Sequence, residues 1–254
     1  MEAIASGRIV LWEGGSLWVF DVPPRGDRPH ATDFHAHHAL QVTMALGGEF
    51  GLEAGGHLAH GPAAVVSADQ NHAFTAEGLV ALLFIEPESV QGRALRATLA
   101  GRPLTQLSDG VLGDLPRRLA QGFRSSAPAS ELTATGRELI ACLAGESEPM
   151  AADPRVARVI AWASAELDHA LSIAEAADLV GLSPGRMSHL FVEQTGLPFR
   201  TYVLWLRLMK SVEAFAAGES LTAAAYEAGF SDSAHLSRTF RRMFGVTAAA
   251  LELT

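Results

Sequence analysis

The chain of 254 residues is 48% hydrophobic and 19% charged, carries a formal net charge of -9 and contains one cysteine, Cys142. It is therefore globular and long enough for two ordinary domains, while a lone cysteine, expected to pack on a helix, excludes a disulfide framework or a cysteine-based zinc site. The apolar run at 79–85 is far short of the roughly 20 residues a membrane span needs. The opening MEAIASGRIVLWEGG lacks the basic-then-apolar order of a secretory signal, so a reducing cytoplasm is the expected location and no membrane partner is expected.

Taken in chain order, residues 1–87 contain short apolar or alternating runs, among them SLWVFDV, ALQVTMAL, EFGLEAG and LVALLFIEP, separated by Gly, Pro, Asn and Asp. This is the pattern of an all-β sandwich or barrel. Helical periodicity follows over 88–145 in SVQGRALRATLA, in GVLGDLPRRLAQGF, where Pro116 interrupts it, and in ELTATGRELIACLA. That region is a candidate dimer contact or an internal packing layer. GESEPMAA then breaks periodicity, which makes 146–153 a linker and 154–254 a second, all-α domain. The acidity sits in the first part: residues 1–153 hold 10 basic and 18 acidic side chains, net -8, whereas 154–254 hold 9 and 10, net -1.

Seven of the ten histidines fall between positions 30 and 72. Alternation along a strand puts His35, His37, Gln41 and Thr43 on one face and His38, Leu40, Val42 and Met44 on the other. The first face is suited to lining a ligand cavity. His30, His38, His57 and His60 are expected at the surface or in loops.

The second domain opens on Asp153-Pro154, an N-cap with proline at the first helical position, and a first helix is expected to run to about 169. Ser172 caps IAEAADLV, which stops at Gly181; Ser183-Pro184 starts a third helix that ends at Gly196. Two short helices joined by a tight turn form a helix-turn-helix. The unit recurs: Ala177, Gly181 and Ser183 return 48 residues later as Ala225, Gly229 and Ser231, and Ser188, Phe191 and Gly196 return 49 later as Ser237, Phe240 and Gly245. One residue is thus inserted in the second turn. Between the copies, apolar positions from 199 to 216 predict one helix about 27 Å long, a strut able to hold two recognition helices in successive major-groove segments about 34 Å apart.

AADLVGLSPGRMSHLFVEQTGLPFRTYV, LWLRLMKSVEAF and AAAYEAGFSDSAHLSRTFRRMFGVT together resemble the DNA-binding domain of the AraC/XylS family of bacterial transcription regulators. Where the family continues with Ser/Thr-Pro and a later Tyr, this chain has Thr247-Ala248 and no tyrosine. The resemblance implies base contacts from Gly185, Ser188 and His189 in the first unit and from Ser233, Ala234, Ser237 and Arg238 in the second. Arg238 is suited to a bidentate contact with guanine O6 and N7. Arg186, Arg241, Arg242, Arg200 and Lys210 are expected at phosphates. It also implies double-stranded DNA as a partner and contact with RNA polymerase; because the nearly neutral second domain offers few positive groups to DNA, a homodimer or a second protein is expected.

HAHHALQ followed by Gly48, with Gly61 and His72 further on, resembles the paired metal motifs of cupins, with Gln41 where a glutamate belongs. Sensor domains of this regulator family are commonly cupin-like, so a cupin-like barrel that senses a small-molecule effector is expected. His35, His37, Gln41 and His72 form a donor set for a divalent ion such as Zn, Ni or Fe, behind an organic-ligand pocket in the order of expectation. Two function classes follow: a ligand-sensing transcription regulator with no catalytic residues, and, as the alternative, a metal-dependent cupin oxygenase or isomerase with an incidental helical tail. The tandem repeat favours the regulator.

Overall fold

Alternation in the first 87 residues is realised as eight strands in the computed structural model, which describes residues 3–24, 29–145, 149 and 151–254. They are β1 (Ala5–Trp12), β2 (Gly15–Val22), β3 (His30–Ala31), β4 (Leu40–Ala45), β5 (Glu49–Ala54), β6 (His57–His60), β7 (Ala63–Val66) and β8 (His72–Ile85). The helices α1 (Val90–Leu99), α2 (Leu115–Arg124) and α3 (Ala129–Ala144) follow, with a short strand β9 (Leu104–Gln106) between the first two. The helical reading of 88–145 is corrected there: Leu104–Gln106 pairs antiparallel with β7. Pro116 lies in the first turn of α2, where its missing N–H costs no hydrogen bond, so it begins that helix instead of interrupting it.

β8 organises the sheet. Its second half pairs with β2 and β4 on either side, while its first half pairs with β3 and β5. The change of partner falls at Gly78, which sits at φ +71° with its Cβ position 2.9 Å from Gly48 Cα, so a side chain has no room there. Residues alternate accordingly. Leu17, Val19, Leu40, Val42, Met44, Ala81 and Leu83 form one buried cluster with Leu95, Leu119, Leu139 and Ile140 of the helices, which places α1–α3 over that face of the sheet. Trp18, Phe20, Gln41 and Phe84 point the other way, into a cavity. Cys142, expected to pack on its helix, is exposed on α3.

The second run of helices comprises α4 (Pro154–Ala165), α5 (Ile173–Val180), α6 (Pro184–Thr195), α7 (Phe199–Ala216), α8 (Leu221–Glu227) and α9 (Ser233–Phe244), then a 3-10 turn (Ala248–Ala250) and β10 (Leu251–Leu253). α4 stops four residues before the expected 169. Its Val156, Val159 and Ala163 pack with Ala176, Met187, Phe191, Phe199 and Tyr202.

Two compact units result: Met1–Pro149 together with Phe240–Thr254, and Met150–Thr239. This corrects the expected 154–254 domain at its end. The last residues do not form another helix; β10 pairs in parallel with β1, Ala5 to Leu251 through Gly7 to Leu253, and Thr254 N–H donates to the Gly7 carbonyl at 2.9 Å. An exposed edge strand takes up a free segment in this way because its backbone groups otherwise lack partners. Residues 146–148 and 150 of the expected linker lie outside the described residues.

Candidate nucleic-acid interface and effector cavity

Each helix-turn-helix is built from local signals. In the first, Ser172 accepts from Glu175 N–H while the Glu175 carboxylate accepts from Ser172 N–H, a reciprocal cap. α5 ends at Gly181 in the left-handed region, φ +69°, and Ser183 caps α6 by accepting from Arg186 N–H. In the second, Ser220 caps α8, Gly229 turns the chain at φ +76°, and the Asp232 carboxylate accepts from His235 N–H at 2.6 Å. The one-residue insertion therefore replaces a serine cap by an aspartate 49 positions on. The Arg207 guanidinium donates to the carbonyls of Leu167 and His169, tying α7 to the end of α4.

Packing of Met187, Phe191, Leu236 and Phe240 inward turns the opposite faces of α6 and α9 outward. Gly185, Arg186, His189, Ala234, Arg238, Arg241 and Arg242 are exposed, and Ser188, Ser233 and Ser237 are half-buried. A Cβ on Gly185 would meet nothing within 4 Å, so that face is open to close approach. Arg186, Arg238 and Arg242 form no ion pair among the described residues. Arg241 binds Asp33 through Nε and Nη2, both at 2.8 Å.

In the first unit, a cavity of about 80 Å³ lies inside the sheet. Trp18, Phe20, Leu82 and Phe84 supply one wall and Phe244 and Leu251 another, with polar groups gathered at His30, Thr32, His35 and Gln41. Trp18 meets Phe84 and Phe244 at centroid distances of 5.0 and 4.8 Å. Sequence reasoning did not assign these aromatics; the Trp18-Phe20 alternation was the available signal.

The predicted cluster is assembled, since His35, His37 and His72 are buried with one ring nitrogen apiece within 4.8 Å of the others. His37 Nε2 is 2.9 Å from Gln41 Oε1, and the Gln41 amide nitrogen donates to Thr43 Oγ1. Burial, followed by the charge of His72, lowers the His35 pKa to about 4; burial, then His72 and His35, holds His37 well below its ordinary value, and burial lowers His72. Each of these shifts favours the neutral imidazole.

His38, expected at the surface or in a loop, lies in the loop before β4 and is buried there. Its Nδ1 lies 2.9 Å from Asp69 and its Nε2 3.1 Å from Glu88. Burial opposes its charge, yet the hydrogen bonds to Asp69 and Glu88 outweigh it and raise the pKa to about 9. His57 and His60 are exposed and His30 half-buried.

The fold and site thus define a sheet-rich unit with an internal cavity, joined to two helix-turn-helix units whose outer faces carry unpaired arginines. Residues 158–252 match the family model described as a helix-turn-helix domain. The chain is 35% identical over 94 residues to the HTH-type transcriptional activator RhaS of Escherichia fergusonii, covering 37% of this chain and 34% of that protein. For RhaS of an Enterobacter species the figures are 34% over 93 residues, 36% and 34%. The chain thus spans about a third of the length of these curated relatives. Across nearly the whole chain the fold is that of ToxT from Vibrio cholerae, with a TM-score of 0.61 at 13% identity over 94% of this chain and 96% of that one. One ToxT structure, at TM-score 0.58 and 11% identity over 93% of this chain and 94% of that one, contains an unsaturated fatty acid.

Proposed function

We propose that this protein is a sequence-specific DNA-binding transcription regulator whose sheet-rich unit senses an amphipathic small molecule, and that it turns over no substrate. The tandem of capped helix-turn-helix units with outward, unpaired arginines carries this reading. α6 and α9 enter neighbouring major-groove segments, where Arg238 reads a guanine and Ser188 and Ser237 make short polar contacts. Arg186 and Arg242 set register on phosphates.

The cavity supports the effector class. Its walls are largely aromatic and aliphatic, with His30, Thr32, His35 and Gln41 among the lining residues; the fatty acid in the ToxT structure is in keeping with a long apolar body bearing an acidic head. α9 carries Arg238 near its start and Phe244, a cavity-lining residue, six residues later, about 9 Å along the axis. An occupant that displaces Phe244 acts on the helix that reads DNA, and it shifts the protein only to the extent that it binds two states differently.

The test is selection of binding sites from random duplexes with the full chain, then titration of the selected site by wild type and Arg238→Ala. Loss of a bidentate arginine–guanine contact weakens specific binding by about 1–3 kcal/mol and relaxes preference at one base pair, with circular dichroism unchanged. A chain that selects no sequence, or an Arg238→Ala variant with unaltered preference, overturns the reading.

A further inference from the structure

We propose that residues 246–254 are a strap over the cavity: small molecules enter and leave when β10 unpairs from β1, and are enclosed when it pairs again. This rests on the effector reading above. The end of the chain forms part of the cavity wall, where Phe244, Val246 and Leu251 line it together with Ile4 and Ala5 at the start of β1. Unpairing of β10 withdraws Val246 and Leu251 from that wall and opens the cavity on that side.

The strap is fixed at its root and lightly held at its tip. At the root, the Gly245 carbonyl accepts from Asp33 N–H at 2.9 Å, and Arg241 holds the Asp33 carboxylate, so the pivot falls after Gly245. At the tip, only three residues pair with β1, Leu251 with Ala5 through Leu253 with Gly7. Two flanking bonds complete the contact, Ile4 N–H to the Ala250 carbonyl at 2.8 Å and Thr254 N–H to the Gly7 carbonyl at 2.9 Å. Leu251 and Leu253 are half-buried, and Glu252 and Thr254 are exposed. A terminal segment with so few buried contacts opens at much lower free energy than the body of a sheet. β1 loses little when it does, because its other edge pairs with β2 over seven residues, Ser6 to Trp12. The strap can therefore leave while the sheet stays intact, and a ligand that needs it closed favours the paired state.

Opening is read first, by hydrogen exchange on the full chain without ligand or DNA. The amides of Ile4 and Thr254, bonded across the strap, should exchange at a common rate roughly a hundredfold faster than the amides of the β1–β2 ladder. Entry is then read with a reversible lock, Ser6→Cys with Glu252→Cys on a Cys142→Ser background. Ser6 and Glu252 face each other in the β1–β10 register, where neighbouring strands stand close enough for a disulfide, and neither lines the cavity. Exchange of fluorobenzene into the protein, followed by fluorine NMR, should be roughly tenfold slower in the oxidised lock than in the wild type and should recover on reduction. Ile4 and Thr254 amides as slow as the β1–β2 ladder, no uptake of fluorobenzene by the wild type, or equal rates in oxidised and reduced lock overturns the proposal. Selection of DNA sites by the reduced protein reports on the regulator reading independently.

Discussion

Arg238 and Arg241 stand three positions apart on α9 and meet different surroundings. Arg238 is exposed and unpaired, whereas Arg241 already holds Asp33 in an ion pair about 60% exposed on both sides. Exposed pairs contribute at most about 1 kcal/mol, so Asp33→Ala should leave stability nearly unchanged, and Arg241→Ala should weaken DNA binding far less than Arg238→Ala and without altering base preference. His38 lies at the opposite extreme. Removing one member of a buried, doubly paired group strands the other charges at a cost of about 3–5 kcal/mol. His38→Ala should therefore lower the urea midpoint strongly, while Asp69→Asn, whose side chain is 36% exposed, should do so only mildly. Equal midpoints for wild type and His38→Ala would mean the pairings are incidental.

At the scale of elements, Gly245 links α9 to the loop that carries His35. It sits at φ +71°, and a Cβ there would lie 2.5 Å from the Asp33 carbonyl oxygen and 2.6 Å from His35 Nδ1; its own carbonyl accepts from Asp33 N–H at 2.9 Å. Gly245→Ala should destabilise the first unit by about 1–3 kcal/mol through backbone strain and displace the His35 loop, a change read directly by the His35 ring resonances in NMR. Much of this region was hidden in the sequence. Serine caps, terminal glycines and Pro184 made α5 and α6 legible, because these signals act within one helical turn, and apolar spacing made α7 legible. β9 and β10 carry only three residues each and exist through distant pairing, which no local period records. The burial of His38 was missed for the same reason: its carboxylates come from 31 and 50 positions away. The His35, His37, Gln41 and His72 grouping was readable from motif spacing; the strand expected to start at His35 begins at Leu40, so alternation places only Gln41.

For the whole molecule, charge decides how DNA binding must be organised. A chain of net -9 gains little from long-range attraction to a polyanion, so its affinity rests on a few local contacts. If Arg186, Arg200, Lys210 and Arg242 each neutralise a phosphate, one chain releases about four ions, and the logarithm of affinity should fall with the logarithm of salt at a slope near -3.6. Two chains side by side on a palindromic or repeated site should double it to about -7. Measuring the slope on a selected site, together with the mass of the complex, separates these cases. A slope near -3.6 with one chain bound places all the specificity in the two units held by α7. The steeper slope with two chains bound makes a second copy the source of the affinity that the acidic first unit withholds, and then any effector that alters pairing controls DNA occupancy without touching a base-reading residue.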